Sequence, residues 1–115
     1  MTAERYSGPP QDSTRWRDHM FVRIHNCDGE MMLAACDEDL IGMTFRGDGT
    51  RITVSERFYK GESVDATTLA ERMKSVSIMN LVGDEVISVA ISEGHVSEES
   101  IMVIGGVRHA QVVIM

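Results

Sequence analysis

The residues best suited to bind a ligand lie together near the carboxyl end of the chain. A pair of glycines is followed by a guanidinium, an imidazole and a carboxamide, at Gly105, Gly106, Arg108, His109 and Gln111. Glycines let the backbone turn tightly or approach a ligand closely, and the three polar side chains supply donors and acceptors. The stretch therefore predicts a loop that can hold a carboxylate, a phosphate or a nucleobase edge. The alternative is a glycine turn whose polar side chains satisfy neighbouring backbone groups.

A second group of candidates combines charges with aromatic rings earlier in the chain. Arg57, Tyr59 and Lys60 follow the end of a predicted strand. Asn80 lies inside an apolar run, which predicts a buried amide that bonds the glycine loop. We add Arg57, Tyr59 and Asn80 to the glycine-loop residues as candidate ligand- or partner-binding positions.

The sequence offers no recognisable catalytic or metal-binding motif. His25, Cys27 and Cys36 lie on or beside the first predicted hairpin, but they lack the spacing of a zinc site. A carboxylate follows Cys36 directly, and a neighbouring negative charge disfavours the reactive thiolate. The glycine pair matches neither a P-loop nor a dinucleotide fingerprint. We therefore predict no catalytic residue, cofactor or metal, and a non-catalytic protein is favoured over an enzyme.

Length, charge and cysteine content limit the class of protein. A chain of 115 residues is long enough for one domain with a single core. The net charge of −7 argues against an autonomous nucleic-acid-binding surface, because such surfaces need clustered Lys and Arg. No secretory segment or membrane-spanning run precedes the two cysteines, which predicts a cytoplasmic protein with reduced thiols.

The chain divides into a polar tail and a folded domain. Residues 1–19 hold both prolines and almost no aliphatic side chains, so they cannot offset the entropy of ordering and are predicted to be disordered. The pattern of a folded domain begins at Met20 and covers residues 20–115. Met20 is therefore a candidate for the native start of the protein.

Hydrophobic periodicity predicts the elements of this domain. Alternation predicts strands and capping residues predict helices, in the following order: a hairpin of Met20–His25 and Met31–Cys36 around Asp28-Gly29, a helical turn at Asp37–Gly42, a strand at Arg51–Glu56, a helix capped by Asp65, a helical piece at Ser77–Val82, a helix capped by Asp84, and a strand at Ile101–Ile104. Strands before and after a group of helices predict an α+β fold. We expect a mostly antiparallel sheet of four to five strands with two or three helices packed on one face.

Several separated motifs resemble an archaeal family of unknown function, domain-of-unknown-function family 424. The likeness covers Met20 to Val113 and rests on four segments in order: Cys36–Gly42, Ser55–Tyr59, Asn80–Gly83 and Gly105–Gln111. Members of that family usually carry proline where this chain has Arg108. The resemblance implies an archaeal cytoplasmic protein and supplies no catalytic residues. It also implies an association with translation.

Three functions stay open from the sequence. The first is a small binding module that contacts a protein or ribonucleoprotein partner through the glycine loop and the cluster from Arg57 to Lys60. The second is a small-molecule-binding protein or an enzyme that uses His109 and Gln111. The third is a self-associating structural protein with the glycine loop at its interface.

Overall fold

A mixed sheet of six strands forms the centre of the protein in the computed structural model, which describes residues 19–114. The predicted tail, apart from His19, lies outside the described residues. The elements in chain order are β1 (Met20–Cys27), β2 (Glu30–Asp37), β3 (Thr44–Gly47), β4 (Thr50–Thr53), α1 (Glu56–Tyr59), β5 (Glu62–Val64), α2 (Ala66–Met73), β6 (Ile78–Val82), α3 (Asp84–Ser92), β7 (Met102–Ile104) and β8 (Val107–Val113), with 3₁₀ turns at Glu38–Leu40 and Glu98–Ser100. None of the helices among residues 19–114 is long and apolar enough to cross a lipid bilayer.

The strand order of the main sheet is β5-β1-β2-β6-β8-β7, and β3 and β4 form a separate two-stranded hairpin. Neighbouring strands of the main sheet are antiparallel except β2 and β6, which run parallel. A parallel pair needs a long crossover connection, and everything from the 3₁₀ turn after β2 to the end of α2 supplies it. The crossover brings the carboxyl ends of β2 and β6 to the same edge.

One face of the sheet, here called the helix face, packs against α2 and α3. Alternate strand residues such as Val22, Leu33 and Leu81 meet Leu69 of α2 and Ile87 of α3 in the larger of two cores. These side chains are almost completely buried. Burying each is worth about 1.5–3 kcal/mol, so this core holds most of the apolar stabilisation.

The opposite face, here called the hairpin face, is covered in part by the β3–β4 hairpin and by α1. Cys36 and Val82 from the sheet pack there against Val54 and Tyr59, with Phe45 partly buried beside them. This second core is smaller, because the hairpin covers only one end of the sheet. The uncovered remainder of this face is where polar side chains can meet solvent.

The α+β class is confirmed, but the predicted sheet is wrong. The sheet has six strands and is mixed, whereas four to five mostly antiparallel strands were expected. Two helices, α2 and α3, pack on one face as expected, and the short helix α1 packs on the hairpin face.

The predicted helical piece at Ser77–Val82 is a strand, β6. This strand lies between β2 and β8 and is buried on both faces: Met79 and Leu81 enter the larger core and Val82 enters the smaller one. A strand buried on both faces reads as a continuous apolar run, which periodicity alone does not separate from a helix.

The predicted loop from Gly105 to Gln111 is a two-residue turn followed by β8. Gly105 and Gly106 have φ values of 58° and 85°, which fit the two central positions of a type I′ hairpin turn. The remainder of the segment alternates between the two faces of the sheet. The tight bend expected near the carboxyl end is therefore present, but it is confined to the glycines.

Asp84 was expected to cap its own helix, and this is wrong as well. The residue before α3 is Gly83, and the N–H groups of Glu85 and Val86, which have no acceptor within the first turn of the helix, donate to the carboxylate of Asp37 at 3.1 and 3.0 Å. The last residue of β2 thus caps the helix that follows β6. Burial raises the pKa of Asp37, and the two backbone N–H groups oppose that shift.

Candidate functional site

The uncovered part of the hairpin face forms a cleft between β4 and the sheet. It encloses about 350 Å³, which is within the range of small-ligand sites. We call it the polar cleft, and its lining residues are Thr50, Arg51, Ile52, Tyr59, Asn80, Met102, Ile104, His109 and Gln111. Four of the sequence-predicted residues, Tyr59, Asn80, His109 and Gln111, are therefore brought together.

His109 is the most constrained polar residue of the cleft. Its side chain is only 8% exposed, and Nδ1 lies 3.0 Å from the carbonyl oxygen of Leu81 on β6. A carbonyl accepts, so Nδ1 carries the proton and donates. In the neutral ring Nε2 then keeps its lone pair. Nε2 has no hydrogen-bond partner among residues 19–114, which leaves it available to a ligand.

Asn80 is held by Tyr59. The Tyr59 hydroxyl donates to Asn80 Oδ1 at 2.6 Å, which fixes the orientation of the amide and leaves Nδ2 as its free donor. Burial raises the pKa of Tyr59, so the phenol stays protonated and keeps donating. Asn80 therefore presents a donor to the cleft, beside the acceptor of His109.

Gln111 and Arg51 are exposed polar side chains of the cleft. Gln111 lies directly opposite Asn80 across the β6–β8 ladder and is exposed. Arg51 is exposed on β4, directly opposite Arg46 on β3. No ion pair neutralises either arginine within the described residues. Arg51 is among the residues that line the cleft, whereas Arg46 is not.

The glycine pair and Arg108 lie away from the cleft. A Cβ on Gly105 would be 2.8 Å from the carbonyl oxygen of Arg46, so the turn packs directly on the backbone of β3. Arg108 is on the opposite side of β8, where Nε contacts the Asp84 carboxylate at 3.0 Å. These residues position β7, β8 and the hairpin, and they do not line the polar cleft.

Arg57 is also outside the cleft lining. It is exposed on the short helix α1, whereas Tyr59, two residues later, is buried. Lys60 has its amino group 5.9 Å from the centre of the Phe21 ring. The cluster seen in the sequence therefore splits, with Tyr59 in the cleft and the charges on the surface.

The cysteines and His25 do not converge with His109. Cys27 is exposed and Cys36 is buried in the smaller core. Burial raises the pKa of Cys36 to about 12, with the Asp37 carboxylate adding to the effect. His25 stacks on Phe58 and bonds its carbonyl oxygen through Nε2 at 2.8 Å. Across residues 19–114, no cluster of such side chains is arranged to hold a metal ion.

Sequence reasoning missed one wall of the cleft, which Thr50, Arg51 and Ile52 form. Gly47-Asp48-Gly49 is a turn sequence. It indicates a hairpin only if Thr44–Gly47 before it is a strand, as the structure has it. The place where that hairpin docks depends on the close packing of Gly105 on β3, which has no local sequence signal. Met102 and Ile104 were assigned to a strand but not to the site.

Two comparisons with known proteins place this geometry in context. A family model described as a protein of unknown function, DUF424, matches residues 25–115. The crystal structure of an uncharacterized conserved protein from Methanopyrus kandleri is similar, with 29% sequence identity and a TM-score of 0.69. That similarity covers 84% of this chain and 94% of the other.

The curated proteins give no match to this chain. The resemblance drawn from the sequence motifs is confirmed, since the matched region includes all four of them. The chain belongs to the DUF424 family of proteins of unknown function.

Proposed function

We propose that this protein is a non-catalytic binding module, and that it contacts a protein or ribonucleoprotein partner through the polar cleft. The observation that carries the proposal is the buried imidazole of His109, whose Nε2 is unpaired at an opening in the surface. Nε2 is not among the fully buried atoms that lack a partner, so solvent reaches it through the opening. A partner group that bonds Nε2 replaces water there and makes a directional contact with an imidazole whose orientation is already fixed.

The residues lining the cleft support binding more than catalysis. Its titratable side chains are Arg51, Tyr59 and His109. The Tyr59 hydroxyl is committed to Asn80, and the thiol of Cys36 is buried in the smaller core with a raised pKa. The other hydroxyl of the lining is that of Thr50, and no hydrogen bond joins it to His109 among the described residues. His109 therefore has no nucleophile positioned for activation, as a nucleophilic mechanism requires.

Affinity capture from lysate of the source organism tests the proposal. The full chain is compared with the double variant His109→Gln/Gln111→Ala and with Arg57→Ala, which alters an exposed residue outside the cleft. Nuclease treatment of half of each sample separates ribonucleoprotein from protein partners. Chemical cross-links read by mass spectrometry then locate the contact on this chain.

The proposal is supported if the wild type and Arg57→Ala retain a partner, the double variant loses it, and its cross-links lie near β8. Capture that is equal for all three chains, or cross-links confined to α2 and α3, contradicts it. Circular dichroism of the double variant ensures that a loss of capture is not a loss of fold.

Self-association is a second candidate, favoured by the apolar edge of the sheet. Met102 and Val103 on the edge strand β7 are 53% and 62% exposed, and Val113 on β8 is 65% exposed. Exposed apolar edge strands are templates for pairing with another chain. Light scattering over a range of protein concentrations decides this: a dimer that becomes a monomer in Val103→Lys supports self-association, and a monomer at every concentration contradicts it.

A further inference from the structure

The geometry of the polar cleft points to a specific ligand class, and we infer that it binds a single nucleotide, with the base inside the cleft and the phosphate at Arg51 on the rim. This inference rests on the proposed use of the cleft for binding. It goes further by naming the group that is bound.

The polar end of the cleft matches the edge of a nucleobase. His109 offers an acceptor at Nε2, and Asn80 offers a donor at Nδ2 because its oxygen is occupied by Tyr59. The two residues lie on adjacent strands and on the same face: His109 pairs with Val82, two positions along β6 from Asn80. Every nucleobase has an N–H donor beside an acceptor on its hydrogen-bonding edge, so one edge can satisfy both groups.

The remaining walls suit the flat faces of a base. Ile52 on β4 lines the cleft from the hairpin, and Met102 and Ile104 on β7 line it from the main sheet. Apolar side chains and methionine sulfur pack well on aromatic rings. Gln111 at the opening can turn its amide to either polarity, so the cleft does not demand one particular base.

The rim accounts for the phosphate. Arg51 lines the cleft and is exposed on β4. It has no ion-pair partner among the described residues, although the chain as a whole is acidic. By contrast, Arg72, Lys74 and Arg108 on the helix side each pair with a carboxylate. Arg46, directly opposite Arg51 on β3, adds positive charge to the same part of the hairpin. A phosphate at Arg51 would gain charge-assisted hydrogen bonds.

A single nucleotide is also compatible with the net charge of −7. That charge disfavours a surface that follows a phosphate backbone, but a single phosphate needs only the local positive charge of Arg51. The nucleotide can come from the free pool or from an unpaired position of an RNA strand. Both sources present the same base edge and phosphate.

The test is a titration of the ¹⁵N-labelled full chain, followed by NMR, with the four ribonucleoside 5′-monophosphates, adenosine, and a short single-stranded oligoribonucleotide. We expect shifts confined to β4, β6 and β8 around the cleft. Asn80→Asp keeps the acceptor for Tyr59 and replaces the donor by an acceptor, so we expect about tenfold weaker binding. Asn26→Asp makes the same change at the exposed end of β1, keeps the acceptor that bonds the Gly29 N–H, and is the matched control.

A second pair of variants tests the phosphate contact. We expect adenosine monophosphate to bind more tightly than adenosine, and Arg51→Gln to remove that difference. Lys74→Gln removes one positive charge on the helix side and should retain the difference in affinity between adenosine monophosphate and adenosine. Binding of the oligoribonucleotide alone assigns the ligand to an RNA strand and still supports the inference.

No binding of any of these probes, or binding that Asn80→Asp leaves unchanged, overturns the inference. The proposed function is judged separately: if partner capture still depends on His109 and Gln111 while every nucleotide fails, the module stands and its ligand is a different group. If capture is independent of the cleft but nucleotides bind there, the inference holds and the proposed partner contact fails.

Discussion

Arg108 and His109 are adjacent in the chain but act on opposite faces of the sheet. The guanidinium of Arg108 ties β8 to Asp84 at the start of α3, whereas the imidazole of His109 lies in the polar cleft. This follows from the strand geometry, because successive side chains of a strand point to opposite faces. Arg108 therefore has a structural contact, and His109 is the residue of the two that lines the cleft.

The two cysteines should differ sharply in reactivity. Cys27 is exposed, whereas Cys36 is buried and its pKa is raised to about 12, so little thiolate forms and access is blocked. With a thiol reagent at neutral pH we expect one equivalent to react in the folded protein and the second only after unfolding. In Cys27→Ser the fast reaction should vanish; a fast reaction that persists there would contradict the placement of Cys36.

At the scale of elements, the β7–β8 turn sets the position of the hairpin that forms one wall of the cleft. A Cβ on Gly105 would meet the backbone of Arg46 at 2.8 and 2.9 Å, whereas one on Gly106 would meet nothing within 4 Å. Both glycines have positive φ, so that alanine at either position carries similar backbone strain. The difference in the free energy of unfolding between alanine at Gly105 and alanine at Gly106 therefore reports the contact of Gly105 with β3.

We therefore expect Gly106→Ala to lower the free energy of unfolding by about 1–2 kcal/mol, the cost of a left-handed alanine. Gly105→Ala should lower it further, by about 1–3 kcal/mol, because the backbone of β3 must shift as well. Urea denaturation measures both. Equal losses in the two variants would show that the turn does not hold the hairpin.

The cap between β2 and α3 gives a second element-scale prediction. The pKa of Asp37 is raised by burial above its ordinary value of 3.8, so the folded state holds the proton more tightly than the unfolded state. The contribution of Asp37 to stability is thus fully present below 3.8 and declines as the pH rises through the raised pKa. Asp37→Asn keeps one acceptor and does not titrate.

Urea denaturation of the wild type and Asp37→Asn at a series of pH values measures this contribution. The stability of the wild type relative to the variant should fall as the pH rises through this window. A difference that grows with pH would mean that the two backbone hydrogen bonds outweigh the effect of burial.

Local sequence signals predicted the elements whose cause is local. Asp28-Gly29 closes the first hairpin, and Asp65 caps α2 by accepting from Thr68 N–H at 2.9 Å, both as expected. The identity of β6 was missed because residues on both of its faces are apolar. The position of Arg51 was missed because it depends on a contact between β3 and a turn far along the chain, which no local pattern contains.

At the scale of the whole molecule, stability should be unevenly distributed. The central strands β2 and β6 are covered on both faces, while β3–β4 is a separate two-stranded hairpin with mostly exposed residues. Amides of a two-stranded unit open at lower free energy than those of a buried sheet. Native-state hydrogen exchange should show the hairpin amides exchanging well before those of β2 and β6. Equal protection of both would contradict the two-part architecture.

The central claim is that the polar cleft is the surface that contacts a partner, and site-specific photo-cross-linking tests this claim most directly. A photoreactive phenylalanine replaces Gln111 at the cleft in one chain and Lys74 on the helix side in another, and each is illuminated in lysate of the source organism. We predict a discrete cross-linked partner from position 111 and none from position 74. A partner obtained only from position 74, or from neither position, would contradict the account.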